Sequence, residues 1–250
     1  MMNRKEMIPM HELDARILYE DNHLIVVNKL PGELVQGDKT GDATLAETVK
    51  AYLKVAYDKP GNIFLGIPHR IDRPTSGIVV YAKTEKALVR MNALFRANDA
   101  VEKTYWAVVD KLPAQDEGMV VHHVTRDSKK NKTFASEKAR KDSKEARMTY
   151  KVVAASKSFY LLEIGLLTGR HHQIRAQLAA LGCHIKGDLK YGAQRSNEDG
   201  GIHLHARRIA FMHPVKKERL TVIAPPPRDV VWDYLASVAS EPDGRTWFFG

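Results

Sequence analysis

Apolar positions along this chain change period several times, and each change marks an element. Two short apolar runs, Ile17-Leu18-Tyr19 and Leu24-Ile25-Val26-Val27, flank an Asp21-Asn22 turn and stop at Leu30-Pro31-Gly32, which predicts a β-hairpin. Over 44–57 the period lengthens: Leu45, Val49 and Leu53 recur at i, i+4 and i+8, and Lys59-Pro60-Gly61 ends the predicted helix. Residues 77–82 read as an apolar strand, and 85–98 place Leu88, Met91, Leu94 and Phe95 on one helical face, so a helix packed on a sheet is expected. β-Branched and aromatic content predicts strands over 101–109, 148–154, 159–166, 202–212 and 220–223. Between them 169–181 is predicted helical, with Ile174, Leu178 and Leu181 as its stripe and Gly182 as its C-cap.

Strands in runs with a few interspersed helices indicate an α+β architecture rather than βαβ repeats: a mixed, largely antiparallel sheet with packed helices. Residues 1–15 are polar and mixed and are expected to form a loosely held arm; 16–250 form a single domain, with neither an internal repeat nor a Ser-, Pro- or Gly-rich linker. No run reaches the roughly 18 apolar residues of a membrane span, and Met1-Met2-Asn3-Arg4-Lys5-Glu6 lacks an apolar signal core, so a cytoplasmic location without membrane partners is expected. The lone Cys183 cannot form an intrachain disulfide, which agrees with a reducing compartment.

The net charge of +9 favours an anionic partner, although composition alone also describes basic proteins that bind nothing in particular. Its distribution is more telling. The stretch 126–147 holds nine Lys or Arg against four acids, a net of +5 that is over half the total. Within it, 128–143 is polar and nearly free of aliphatics, so it reads as a mobile loop or an exposed hairpin tip, either a solvated surface or an arm that contacts nucleic acid.

The run His69-Arg70-Ile71-Asp72-Arg73-Pro74-Thr75-Ser76-Gly77 sets one carboxylate between two guanidinium side chains, before an apolar strand. Neighbouring positive charge favours the ionised acid, and a rigid Pro-Thr-Ser-Gly exit can fix where it points. By itself an Asp there could equally cap a turn or pair with Arg70 or Arg73. Tyr105 shares a strand face with Ala107 and Val109, the position of an ordinary core tyrosine. Arg175 lies one step off the apolar stripe of its helix, at the edge of the core, where a guanidinium needs a carboxylate. Thr168 reads most plainly as a helix cap. His122, His123, His171, His172, His203 and His205 invite a metal reading, but no acid or cysteine falls at ligand spacing and no metal is expected. His69-Arg70-Ile71-Asp72 is not a kinase catalytic loop: Ile71 interrupts H-R-D, and neither D-F-G nor a Gly-rich phosphate loop is present.

HRIDRPTSG resembles the HR[LI]Dx-x-TSG signature of the RluA-type pseudouridine synthases. Two further stretches match in order: Glu102-Lys103-Thr104-Tyr105-Trp106-Ala107-Val108-Val109 is similar to the family's K-x-Y-x-A-x-V segment, and Thr168-Gly169-Arg170-His171-His172-Gln173-Ile174-Arg175 with Gly187-Asp188-Leu189-Lys190-Tyr191-Gly192 resembles its TGRxHQIR and GD-x-x-YG elements. The likeness runs nearly unbroken over 17–225. It implies the pseudouridine synthase catalytic fold and an RNA pseudouridine synthase activity: cleavage of the N1–C1′ bond of a uridine, rotation of the uracil and rejoining through C5, with no cofactor.

The resemblance also implies roles. Asp72 is the essential carboxylate, either nucleophile at C1′ or base at C2′ through a glycal. Arg175 pairs with it, and Tyr105 packs on the target uracil. Arg70 fills the space left by the uridine when it leaves its stack, while Arg73 meets a phosphate or forms a surface ion pair. Arg170 and His172 are structural or phosphate-contacting, and Lys129, Lys130 and Lys132 lie in the basic stretch that relatives carry at this place. Many relatives have a preceding S4-type RNA-binding domain; with about 15 residues before the first strand, none is expected here, and a monomer acting on a tRNA or a compact rRNA stem-loop is expected. A catalytically inactive RNA-binding module is the alternative. Two departures, Leu30 displacing the proline after Asn28-Lys29 and His184 before Ile185 where proline is frequent, bear on substrate choice rather than chemistry.

Overall fold

A computed structural model describes residues 10–97 and 99–239. In chain order the elements are α1 (Met10–Asp14), β1 (Ile17–Glu20), β2 (Leu24–Lys29), α2 (Leu45–Ala56), β3 (Ser76–Ala82), α3 (Glu85–Arg96), β4 (Val101–Val109) and β5 (Glu117–Asp127). They continue with β6 (Lys132–Ser136), β7 (Lys144–Ala155), β8 (Tyr160–Leu166), α4 (Gln173–Ala180), a 3-10 turn (Leu189–Tyr191), β9 (Leu204–Met212), β10 (Arg219–Ile223) and α5 (Val230–Val238). The chain divides into two compact units: residues to 101 with 208–225, and 102–207 with the segment from 226 onward. Among the described residues no helix is long and apolar enough to cross a membrane.

In the first unit β1, β2 and β3 pair antiparallel, and β9 pairs antiparallel with β10 over 208–212. The turn between β1 and β2 forms because Asp21 Oδ1 accepts the N–H groups of His23 and Leu24, both at 2.8 Å. α2 starts in a reciprocal box between Thr44 and Glu47 and buries Leu45, Val49 and Leu53, as its spacing predicts. α3, capped by Thr84, buries Ala87 and Met91, with Leu88, Leu94 and Phe95 partly covered. Part of the expected loose arm is structured: α1 packs Leu13 at 0% exposure, while residues 1–9 lie outside the described residues.

The second unit is an antiparallel sheet in the order β4-β8-β7-β5-β6. One face carries Ala107, Val109, Met148, Leu162 and Ile164 against Ile174 and Leu178 of α4. The other packs Trp106, Val108 and Leu161 against Trp232 and Leu235 of α5. Burial on both faces is why 106–109 is an unbroken apolar run. Gln177, fully buried, fastens α4 to the sheet by donating to the carbonyl of Ala146 at 3.1 Å.

Here one open alternative closes, one unpredicted strand appears and two sequence expectations change. The stretch 128–143 is the hairpin form, β5 and β6 meeting through Thr125 opposite Phe134 and Asp127 opposite Lys132; β5 went unpredicted because exposed Met119 and Val121 blur its alternation with buried Val120, His122 and Val124. The helix expected from 169 begins at Gln173, because His172 adopts a left-handed conformation (φ 49°) and Gln173 folds back, accepting through Oε1 from the Thr168 hydroxyl (2.8 Å) and the Arg170 N–H (3.0 Å). Thr168 is therefore not the helix cap: its hydroxyl accepts the Arg147 N–H at 2.8 Å and ties the loop to β7.

α5 is anchored by Asp229, whose Oδ1 accepts the N–H groups of Val231 and Trp232 and whose Oδ2 lies 2.9 Å from His203 Nε2. Burial pushes the Asp229 carboxyl up, but His203 and the two N–H groups outweigh it and hold it down at about 2. A folded value below the ordinary 3.8 stabilises the protein above that pH and ceases to do so as pH falls toward 2. Asp229→Ala is expected to cost about 1 kcal/mol at pH 7, and the gap to wild type in urea unfolding should narrow between pH 4 and 2; a gap unchanged over that range would show that the carboxylate charge is not what holds the helix.

Candidate active site

In the first unit the 69–77 loop is tied down on both sides of Asp72. His69 Nε2 accepts the Val80 N–H at 2.9 Å, and its ring stacks on Phe95 with centroids 4.5 Å apart. The Asp72 carbonyl accepts the Thr75 N–H at 3.0 Å, and Ile71, Thr75 and Ser76 are buried. Arg73 is engaged through its backbone and its side chain: its carbonyl accepts the Gly32 N–H, and its guanidinium donates to the Gly32 carbonyl and pairs with Asp42. Of the two roles open to Arg73, the geometry supplies the ion pair. Asp72 itself is half-buried and Arg70 is exposed.

Lys29, at 0% exposure, underlies this loop. Its Nζ donates to the carbonyls of Leu30 (2.9 Å), Glu33 (3.0 Å) and Arg73 (3.0 Å). Three acceptors match the three N–H bonds of an ammonium group. Burial lowers its pKa to about 7, with the Glu33 and Asp72 carboxylates pulling it back up. The sequence offered a cue in a lysine closing an otherwise apolar strand, but nothing in it named three carbonyls as the partners.

In the second unit Arg175 is not at the core's edge; it is 5% exposed. Its Nε and Nη2 donate to Asp188 Oδ2 (2.7 Å) and Oδ1 (2.9 Å), a two-pronged contact with a carboxylate that is itself 1% exposed. Its Cζ lies 4.9 Å from the centre of the Tyr191 ring. The turn that delivers Asp188 and Tyr191 requires its two glycines. Gly187 (φ +88°) would set a Cβ 2.8 Å from the Gly201 carbonyl oxygen, and Gly192 (φ +106°) would press one to 2.5 Å from the His184 ring.

The basic hairpin reaches the same place. Tyr191 Oη accepts the Thr133 N–H at 2.8 Å and lies 3.0 Å from His172 Nδ1; Thr133 Oγ1 is 2.9 Å from His171 Nδ1, and the two imidazoles stack at 3.8 Å. Lys132 Nζ lies 5.1 Å from the Tyr191 ring centre. Arg170 is exposed and donates to the Glu145 carbonyl at 3.0 Å, and Lys129 and Lys130 are exposed at the hairpin turn. Tyr105, partly buried, sits opposite Ile164 and packs on the cluster that contains Ile174.

Within the second unit, then, Arg175, His172 and Lys132 converge on Tyr191, whereas Arg170, Lys129 and Lys130 do not. Sequence reasoning gave no role to Lys29, His69, Thr133, Asp188 or Tyr191. The last two stood in a recognised motif, yet a separation of 13 residues from Arg175 to Asp188 does not announce a pair. Of the histidines of the metal reading, His171 and His172 stack on each other and His203 stacks on Trp232 at 5.0 Å, and among the described residues no group of three or more His, Cys, Asp or Glu could hold a metal ion.

Comparisons with known proteins define the class. The family model described as RNA pseudouridylate synthase matches residues 23–180. An uncharacterized RNA pseudouridine synthase of Bacillus subtilis (strain 168) is 35% identical over 222 residues, covering 87% of this chain and 71% of the relative. Ribosomal large subunit pseudouridine synthase D of Zymomonas mobilis is 30% identical over 229 residues, covering 88% and 71%. The solved structure of human RNA pseudouridylate synthase domain containing 4 superposes with a TM-score of 0.72 at 26% identity, covering 89% of this chain and 93% of that one. The chain belongs to the RluA-type RNA pseudouridine synthase family, isomerases that act on uridine in RNA.

Lys29→Met keeps the buried volume and removes a donor from three carbonyls, of which that of Arg73 retains the Gly32 N–H. The expected cost is about 3 kcal/mol of stability, read as a lowered urea midpoint, and wild-type stability would remove Lys29 from the loop's support.

Proposed function

We propose that this chain converts a uridine in a structured RNA to pseudouridine with Asp72 as its essential group. The observation that carries the proposal is the setting of Asp72: a half-buried carboxylate on a loop whose flanking residues are fixed by His69, Lys29, Gly32 and Asp42. A carboxylate so held can attack C1′ or take the C2′ proton; both routes cleave the N1–C1′ bond. The freed uracil turns, and C5 bonds to C1′ as the Asp72 ester bond to C1′ breaks or, on the glycal route, as C2′ regains its proton from Asp72; the C5 proton leaves and N1 takes one up. Tyr105 holds the detached base with its ring. Arg175 orients Asp72, its Nε and Nη2 being fixed on Asp188 and its plane on Tyr191. Arg70 occupies the stack vacated by the uridine, an unstacking that costs a few kcal/mol.

The substrate we favour is a stem-loop of large-subunit ribosomal RNA rather than a tRNA, on the name of the relative from Zymomonas mobilis. Arg170, His172 and the hairpin lysines Lys129, Lys130 and Lys132 meet its phosphates, so that affinity falls with salt. The enzyme works as a cytoplasmic monomer and needs no cofactor, because isomerisation has no net redox change. An inactive RNA-binding module would have no use for Asp72, Tyr105 and Arg175 together.

Release of tritium from C5-labelled uridine in total RNA is the direct assay. Wild type should release it and Asp72→Asn should fall by about 10²–10⁴-fold. Release by Asp72→Asn at the wild-type rate refutes the mechanism, and binding without release by wild type with any RNA returns the inactive module. Arg175→Lys loses the two-pronged geometry and should lose about 10- to 100-fold in turnover while RNA affinity survives; unchanged turnover would strip Arg175 of its orienting role.

A further inference from the structure

The contacts of Thr133 are unusual for a hairpin of this kind. The tip around it is solvated, with Lys129, Lys130 and Asn131 exposed and Phe134 at 49%, yet Thr133 is 2% exposed and both its polar groups are used. They go to different segments: the N–H to Tyr191 Oη in the turn that delivers Asp188, and the hydroxyl to His171 in the loop that starts α4. Lys190 Nζ adds a tie to the Asn131 carbonyl at 3.2 Å. One residue of the basic hairpin therefore touches both chain segments that place Arg175.

From this juxtaposition we infer that Thr133 and Tyr191 are positioning residues for Arg175, through which the seating of the basic hairpin on RNA sets the rate of the chemical step as well as the affinity. The inference rests on the role given above to Arg175. A phenol oxygen has one donor and two acceptor sites. Tyr191 uses one of them for the Thr133 N–H and another for His172, which holds the Oη end of the ring in place under the guanidinium stacked on its face. When the hairpin is drawn against a phosphate backbone through Lys129, Lys130 and Lys132, the force passes along β6 to Thr133 and from it to Tyr191. A hairpin that served affinity alone would need neither contact, and its lysines would act equally well on a tether.

The coupling separates turnover from binding. Tyr191→Phe keeps the ring under Arg175 and removes the acceptor for Thr133 and the partner of His172; Thr133→Val keeps the shape and the N–H and removes the bond to His171. With C5-tritiated RNA under single-turnover conditions, Tyr191→Phe should lower the rate at saturating enzyme at least tenfold with the RNA Kd within twofold of wild type. Thr133→Val should lower it by about threefold, and the double variant should be no slower than Tyr191→Phe, because both act on one path. A saturating rate for Tyr191→Phe within twofold of wild type overturns the inference, as do losses in the two single variants that multiply in the double. Asp72→Asn in the same assay keeps the two readings apart. If it is inert while Tyr191→Phe runs at the wild-type rate, the coupling alone is wrong; if it turns over, the catalytic reading beneath it is wrong.

Discussion

The buried pair Arg175–Asp188 is the constraint around which the second unit is arranged. Withdrawing either charge from water costs several kcal/mol, and only close, doubly hydrogen-bonded geometry offsets it. Such a pair is a poor source of stability and a strong selector of conformation, since any arrangement that separates the two leaves an uncompensated charge in the core. Gly187 and Gly192 admit the turn that delivers Asp188, Gln173 and Thr168 fix where α4 starts, and Gln177 holds the helix to the sheet. Each fastening restricts one more way in which the guanidinium could move.

The first unit reaches the same end by other means. Around Asp72 the loop is gathered by side chains that bond backbone groups: Lys29 on three carbonyls, His69 on the Val80 amide and Arg73 on the Gly32 carbonyl. A segment without strand or helix bonds must place its backbone polar groups elsewhere, and here side chains take them, Lys29 fully buried and His69 and Arg73 partly so. The loop is fixed to the precision of the elements that carry its supports. Arg73 illustrates what such a loop leaves open when read from chemistry alone: beside a candidate catalytic acid both a phosphate contact and an ion pair are at hand, and its guanidinium goes to Gly32 and Asp42.

The sequence disclosed period and type well and pairing poorly. α2 was legible from its period and from Thr44 at its boundary, β4 from its β-branched and aromatic content, and the β1–β2 hairpin from two apolar runs on either side of Asp21. β5 was illegible because both its faces carry apolar side chains, Met119 and Val121 outward and Val120 and Val124 inward. The start of α4 was placed too early because the wheel cannot see Gln173 turning back on Thr168. The site residues were found as members of motifs; what held them was not. Asp188 and Lys29 act through partners 13 and 44 residues away, on Arg175 and the Arg73 carbonyl, and only the folded chain measures such distances.

The burial gradient along β4 bears on the role proposed for Tyr105. From 106 onward each residue is covered on its own side, Trp106 and Val108 by α5 and Ala107 and Val109 by α4, so none of those side chains is open to a ligand. Glu102 is exposed, and Lys103 and Thr104 are partly covered. Tyr105 is the last position before burial is complete. Its backbone is locked opposite Ile164 and its ring rests on the cluster that includes Ile174, while part of its surface stays open. The grip on a detached base proposed for Tyr105 calls for both properties, a rigid mount and some accessible surface, and the residue has them.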